Sequence, residues 1–474
     1  VAVVQFMVSL DLSVVNVGLP QIAAGLGFVG ADLTWVIHAY ALAFGGLLLL
    51  GGKAADLLGR KRLLIFGLAV FGLASLAGGF ALQAGQLIAA RAVQGLGAAA
   101  LAPAALSLLT STFPSGRPRV RAFGVWSAVN AAGGALGVLI GGLLTEYAGW
   151  RWVMFVNVPM ALVALALVGV GIARTETAAG PRSRPDVLGA VLGTAGMTTL
   201  VFGVVRTDQV GWASPVTAIT LTVAVALLVA FVLVERRLER DPAGPDPLIR
   251  LGLFRNRSVA GANTYNLLLG AAMASAFYFV SLYLQRVLHY GPAQSGLALL
   301  PFAIGVIIGS AIAVKLGYRI APRTLMIGGG LLTAVGFAWF GLISAEGSFL
   351  GDVLGPSLAV SIGFGLCLAP MVSTATAGVA AAETGTASGL LNSSRQLGAA
   401  LGLAVLGTAA QRRTGDLIDP AALSSGYALG LTLAAVLLAG SVLIALIVLP
   451  RRRAEPDAVE PAAATTVTPD PTRP

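Results

Sequence analysis

The 474-residue chain has one cysteine, two histidines and few charges, and each scarcity removes a class of chemistry. Cys367 on its own can form neither an intrachain disulfide nor a thiolate metal cluster, and is expected to be a small packing residue. With only His38 and His289 to add, no His/Cys metal site and no His-dependent catalytic triad is expected. No Gly-rich phosphate loop of the Walker type is present, which argues against an ATP-driven machine. The run from Gly95 to Ala100 has the spacing of a dinucleotide fingerprint, but no strand precedes it and it lies inside an apolar stretch, so the match fails on context. Charged residues make up 11% of the chain, against about a quarter in soluble domains, so an integral membrane protein without enzymatic activity is expected.

What the chain does contain is long apolar runs, with 57% hydrophobic residues overall. Fourteen segments are long enough to cross a bilayer as helices, the first over residues 1–22 and the last two over 386–409 and 426–449. The first has no basic flank and carries Asp11 and Asn16, so it does not read as a cleavable signal. The chain opens on Val1 with almost nothing ahead of this helix, which leaves open a missing N-terminal stretch or a non-Met start. With the N-terminus inside, 23 of the 30 basic residues fall on inner loops and the tail. That asymmetry predicts a multi-pass protein of the cell membrane with both termini cytoplasmic. The net charge of +10 therefore reads as a topology signal and an attraction to membrane lipid, with no nucleic-acid partner expected.

The segments group into an N-terminal six-helix bundle (1–173), an inserted pair of helices (174–235), a cytoplasmic linker (236–257), a C-terminal six-helix bundle (258–449) and a disordered tail (450–474). Corresponding basic turns at 52–63 and 315–325 suggest that the two halves are related, as in transporters built from repeats. Asp11 stands near the middle of the first helix, and a carboxylate at that depth marks a functional site by default. Arg91 is a second charge inside an apolar helix of the same half.

Gly52, Asp56, Gly59, Arg60 and Arg62 resemble the loop signature of the major facilitator superfamily. Arg91-Ala92-Val93-Gln94-Gly95-Leu96-Gly97 resembles its fourth-helix motif, and Gly133, Gly137, Gly141 and Gly142 resemble its antiporter motif. Leu10-Asp11 through Pro20, Trp150 to Pro159, and Ser388 to Gly398 look like the fourteen-helix drug:proton antiporter branch. Val138 stands where the antiporter motif usually carries Pro, and Tyr318 stands where the second-half loop would carry an acid.

The resemblance implies an all-α integral membrane protein with the major facilitator fold, two six-helix bundles plus two extra helices, fourteen transmembrane helices in all. It implies a monomer that exports a small-molecule substrate, namely hydrophobic or cationic drugs, antibiotics or secondary metabolites, in exchange for protons, with no other cofactor; a dedicated exporter of one physiological substrate and a non-transporting membrane sensor are the alternatives. Proton coupling falls to Asp11 and Arg91. Asp56, in a cytoplasmic turn, would cap the start of helix 13 near Thr384 to Ser388, closing a gate in one conformation. The glycines spaced by four let another helix approach closely, whether as a sliding surface or as a static seam. Residue type points to Asn16, Trp35, His38, Tyr40, Trp126, Asn130, Tyr265, Phe277, Tyr278, Asn392 and Arg395 as lining a substrate cavity.

Overall fold

A computed structural model describes residues 1–28, 33, 35–113, 117–171, 186–241, 245–317, 319–380, 383–415 and 419–450. These residues form helices joined by short connections. The first half holds α1 (Ala2–Leu26), α2 (Trp35–Leu58), α3 (Arg60–Gly79), α4 (Ala84–Thr112), α5 (Arg117–Tyr147) and α6, made of Arg151–Phe155 and Asn157–Gly171. Then come α7 (Val187–Val205) and α8 (Pro215–Glu239). The last six are α9 (Arg257–Leu282), α10 (Pro292–Ala298 and Leu300–Leu316), α11 (Pro322–Phe340), α12 (Gly355–Ala375), α13 (Thr384–Thr414) and α14 (Pro420–Ile447). Residues 451–474 and Tyr318 lie outside the described residues.

Thirteen of these helices are long and apolar enough to span a membrane. α13 is long enough at 31 residues, but its run Asn392-Ser393-Ser394-Arg395-Gln396 keeps it out of that set. It packs against α2, α9 and α14, so its polar face meets protein.

Local sequence explains the breaks. Pro159 has no N–H and its ring crowds the carbonyl four residues back, at Phe155, so α6 is interrupted at Val156. Pro301 stands in the same relation to Leu297, beside the interruption of α10 at Leu299. Gly59 separates α2 from α3 with φ of 88°, a left-handed conformation that favours glycine. The expected turn at 52–62 is therefore only Gly59 wide, and Asp56 belongs to the last turn of α2.

The helix pairings repeat. α1 packs on α5, α2 and α3 on α4, and α3 on α6; in the same pattern α9 packs on α13, α10 and α11 on α12, and α11 on α14. Each helix of the first set corresponds to the one eight places later. The two sets meet along α2 with α13 and α5 with α10, while α7 pairs with α8 and leans on both α2 and α13. Trp35 stacks on Phe202 of α7, and Trp212 Nε1 donates to Thr408 Oγ1 of α13 at 2.8 Å.

Glycines set the closest approaches. A Cβ on Gly133 would lie 2.7 Å from Phe6 O, one on Gly137 2.7 Å from Leu10 O, and one on Gly141 2.9 Å from Val14 Cα. Three successive turns of α5 thus lie directly on the backbone of α1, forming a packing seam, and Gly142 beside it is buried. A Cβ on Gly52 would meet Gly385 O at 2.7 Å and Gly389 Cα at 3.3 Å, so α2 touches α13 backbone to backbone at the end of the bundle that carries Lys53 and Arg60 to Arg62.

Substitution at the seam tests this packing. Gly137→Val is expected to cost about 1–3 kcal/mol through overpacking. Gly85→Ala, with nothing within 4 Å of the added Cβ, should leave thermal unfolding in detergent unchanged.

Candidate functional site

The fold brings five helices to one buried cluster around Asp11. Asp11 has no exposed surface and Arg91 is 1% exposed, with Arg91 Nη1 at 2.8 Å from Asp11 Oδ2. Gln94 Nε2 donates to Asp11 Oδ1 at 2.8 Å, and Asn157 Nδ2 donates to the same oxygen at 2.7 Å. Asp11 thus accepts from three donors on α4 and α6. A carboxylate is an acceptor-only group and fits such a cage.

Each partner arrives for a local reason. Arg91 and Gln94 are three apart on α4, so they share a face, and Arg91 Nη1 also donates to Gln94 Oε1 at 2.6 Å. Gln94 Nε2 donates again to Ser75 Oγ of α3 at 2.7 Å, which fixes the direction of its amide. Asn157 is the first residue after the break in α6, placed there by Pro159. The glycine seam presses α1 against α5 at Leu10 and Val14, on either side of Asp11.

Arg91 has other partners besides the carboxylate. Its Nε donates to Val36 O at 3.1 Å, and its guanidinium carbon lies 4.5 Å from the centroid of the Tyr40 ring. It can therefore lose Asp11 without being left bare. Tyr40 Oη and Asn157 Oδ1 are buried without a hydrogen-bond partner. The cluster is thus a buried charge pair with spare polar capacity.

The other expected site residues are scattered. Asn16 is exposed and donates to Leu12 O of its own helix at 2.8 Å. Asn130 Oδ1 accepts from Gln5 Nε2 and Ser9 Oγ, tying α5 to α1 below Asp11. Trp126 is 7% exposed with its indole N–H unpaired. Asn392 is buried and donates to Ser388 O at 3.0 Å; Arg395, half-buried on α13, donates to Asn392 Oδ1 at 3.4 Å.

Several cavity expectations are corrected. Tyr40 and Tyr265 have no exposed surface, the first stacked under Arg91 and the second donating to Met326 O at 2.9 Å, so neither lines an open cavity. Trp35 and His38 pack edge to face with each other, with Trp35 against inserted helix α7. Phe277 and Tyr278 are 43% and 47% exposed, with Phe277 edge-on to Phe302 of α10. A cavity of about 430 Å³ between α1, α5 and α6 is lined by Ala2, Val3, Phe6, Val129, Pro159, Met160 and Val163, none of the expected residues. Residue type had selected aromatics without regard to helix face, and facing depends on packing.

Of the residues expected to form a gate, Gly52 is buried against α13, Gly59 makes the break, and Arg60 and Arg62 start α3. The side chain of Asp56 lies outside the described residues. Gln94, Asn157 and Ser75 were not singled out from sequence as site residues. The first two stood inside recognised motifs, and a polar side chain in an apolar helix was the available signal.

The family follows from comparison with known proteins. The sequence model of the Major Facilitator Superfamily matches residues 1–187 and 181–403, and the chain belongs to that family of membrane transporters. It is 43% identical over 429 residues to the cephamycin export protein CmcT of Amycolatopsis lactamdurans, covering 89% of this chain and 86% of the relative. It is 40% identical over 448 residues to the puromycin resistance protein pur8 of Streptomyces alboniger, covering 93% and 87%. A crystal structure of the human organic anion transporter MFSD10 superposes with a TM-score of 0.62, covering 94% of this chain and 98% of that one at 15% identity, a likeness of fold. Thirteen candidate spans and this membership make the protein a multi-pass membrane protein.

The ion pair sets a stability expectation. Arg91→Leu strands Asp11 without its cation and should cost about 3–5 kcal/mol. The double variant Asp11→Leu/Arg91→Leu removes both charges and should unfold at a higher temperature than Arg91→Leu alone, as read by thermal unfolding in detergent.

Proposed function

We propose that this chain is a proton-coupled antiporter that exports hydrophobic or cationic drugs, antibiotics or secondary metabolites by alternating access. Its substrate is a small molecule, its coupling ion the proton, and it works as a monomer in the lipid of the cell membrane. The end carrying Lys53 and Arg60 to Arg62 is cytoplasmic, as are both termini, in keeping with the bias of basic residues toward that side. The observation that carries the reading is the fully buried pair of Asp11 and Arg91, in a chain whose relatives are named for antibiotic export or resistance.

The chemistry follows from the partners. A proton on Asp11 turns one of its oxygens from acceptor into donor and removes its charge attraction to Arg91. Arg91 then keeps Gln94, Val36 O and the Tyr40 ring, so the pair opens without exposing a bare cation. Asn157 and Gln94 lose their common acceptor strength at the same moment, and their helices α6 and α4 are freed from α1. Proton binding is in this way linked to the packing of three helices. Arg395 offers a contact to substrates that carry an anionic group. No carboxylate pairs with it among the described residues, and it lies on α13 where the two halves meet.

Dedicated export of one physiological compound is the second reading, favoured by relatives that are each named for a single antibiotic. Flux from a diverse panel separates the two, since a dedicated exporter moves few members of it.

In proteoliposomes with an imposed pH gradient, the parent is expected to move a lipophilic cationic dye. Asp11→Asn at matched insertion should fall to the background of empty liposomes. Parent-level efflux by Asp11→Asn would sink proton coupling through this residue. Arg395→Gln should lower transport of acidic dyes more than that of cationic ones.

A further inference from the structure

Behind the contact of α2 with α13 lies a second buried acidic site, far in sequence from Asp11. Asp186 caps the start of α7, its Oδ1 accepting from Gly189 N at 2.8 Å. Glu235, in the last turns of α8, accepts from Ile249 N at 3.3 Å through Oε2. Asp186 is 7% exposed and Glu235 has no exposed surface. The remaining oxygen of each, Asp186 Oδ2 and Glu235 Oε1, is buried with no donor. Both oxygens crowd the space that a Cβ on Gly189 would fill, so they face each other.

Among the described residues, the surroundings supply no counter-charge. α7 bears no other charged residue. On α8, Arg236 and Arg237 are exposed, and Glu239 accepts from Gly252 N. On α2, Lys53 Nζ is used by Pro247 O at 2.9 Å. In the linker, Arg250 pairs with Glu383 at 3.1 Å, Asp246 is half-buried and Arg255 is exposed. Arg257 begins α9, and Arg395 on α13 bonds Asn392. Neither Asp186 nor Glu235 forms an ion pair with any of them. Two carboxylates buried together without a cation cannot both stay charged, whereas one O–H donating to one carboxylate satisfies both orphan oxygens.

The linker between α8 and α9 was expected to be a simple connection, yet Leu248 and Ile249 are each 3% exposed. They pack with Leu49 of α2, Met197 of α7, Phe231 of α8, Val259 of α9 and Leu390 of α13. Leu49 and Leu390 flank the backbone contact between Gly52 and Gly389. Residues 247–250 are thus a strap over the junction of the two halves, fastened to α2 by Lys53, to the start of α13 through Glu383, and to α8 through Glu235.

We propose that Asp186 and Glu235 together form a proton-binding site whose single shared proton holds this strap on the α2–α13 junction. Loss of the proton to water leaves two facing carboxylates, whose repulsion drives Glu235 from Ile249 N and releases the strap. That the junction is a cytoplasmic gate rests on the alternating-access reading above; the proton site itself does not.

Hydrogen exchange of the full chain in lipid nanodiscs tests this without any transport measurement. After correction for the intrinsic pH dependence of exchange, amides of the strap around Ile249 should lose about tenfold protection between pH 5.5 and 8.5 in the parent. Glu235→Gln and Asp186→Asn each replace the shared proton with a permanent amide donor, and Asn remains a good helix cap. Both should keep the strap protected throughout. Parent protection that is flat with pH, or a decline in both variants equal to the parent's, overturns the proposal. Protection restored at pH 8.5 by sodium or calcium would also overturn it, making the pair a cation site. Failure of dye export would bear on the functional reading and leave this measurement standing.

Discussion

A charge pair held in an apolar bundle is the constraint on which the rest of this structure depends. Burying Asp11 is costly unless a cation and hydrogen bonds replace water, and Arg91, Gln94 and Asn157 do so from two other helices. The replacements must arrive at one point. Gly133, Gly137 and Gly141 let α1 lie against α5, the three-residue spacing on α4 aims Arg91 and Gln94 together, and Pro159 breaks α6 so that Asn157 turns inward. Motifs dispersed over nearly 150 residues are thus the parts of one polar cage.

The same physics organises the junction between halves. Glycines at 52, 385 and 389 remove side chains where α2 meets α13, and the inserted helices brace the joint from behind. There the solution to buried charge differs. Around Asp11 a cation is supplied, while around Asp186 and Glu235 none is among the described residues, and a shared proton is the means of neutralisation proposed there. One site couples charge to a guanidinium that keeps alternative partners, and the other couples it to a segment of linker.

Helix order and ends were legible because a bilayer demands about 20 apolar residues per crossing, and thirteen of the helices obey. Most helix ends fall within a few residues of expectation; the expected start of α14 at 426 is extended back to Pro420 by its Asp419 cap. Asp11 and Arg91 were legible as charges with no business in lipid. Two such charges in one half suggested that they pair; the geometry was not legible, since nothing local says that residues 80 apart in sequence lie 2.8 Å apart. The facing of the aromatic candidates was not legible for a related reason. Tyr265, Phe277 and Tyr278 share one helix, yet one is fully buried and two are exposed, and only the neighbours of α9 decide which.

The sequence by itself determined the membrane class, the run of apolar segments and the family motifs, because hydropathy is a property of composition along the chain. Only the tertiary structure decided that Asn157 and Gln94 complete the Asp11 cage, that the antiporter glycines form a seam, and that the linker is a buried strap. It alone revealed Asp186 and Glu235 as a pair. In sequence, one is a helix cap beside a charged loop and the other an acid before two arginines, both ordinary surface signals. Their burial arises when α7, α8 and the linker close over them, and burial is what turns two unremarkable carboxyls into a titrating site.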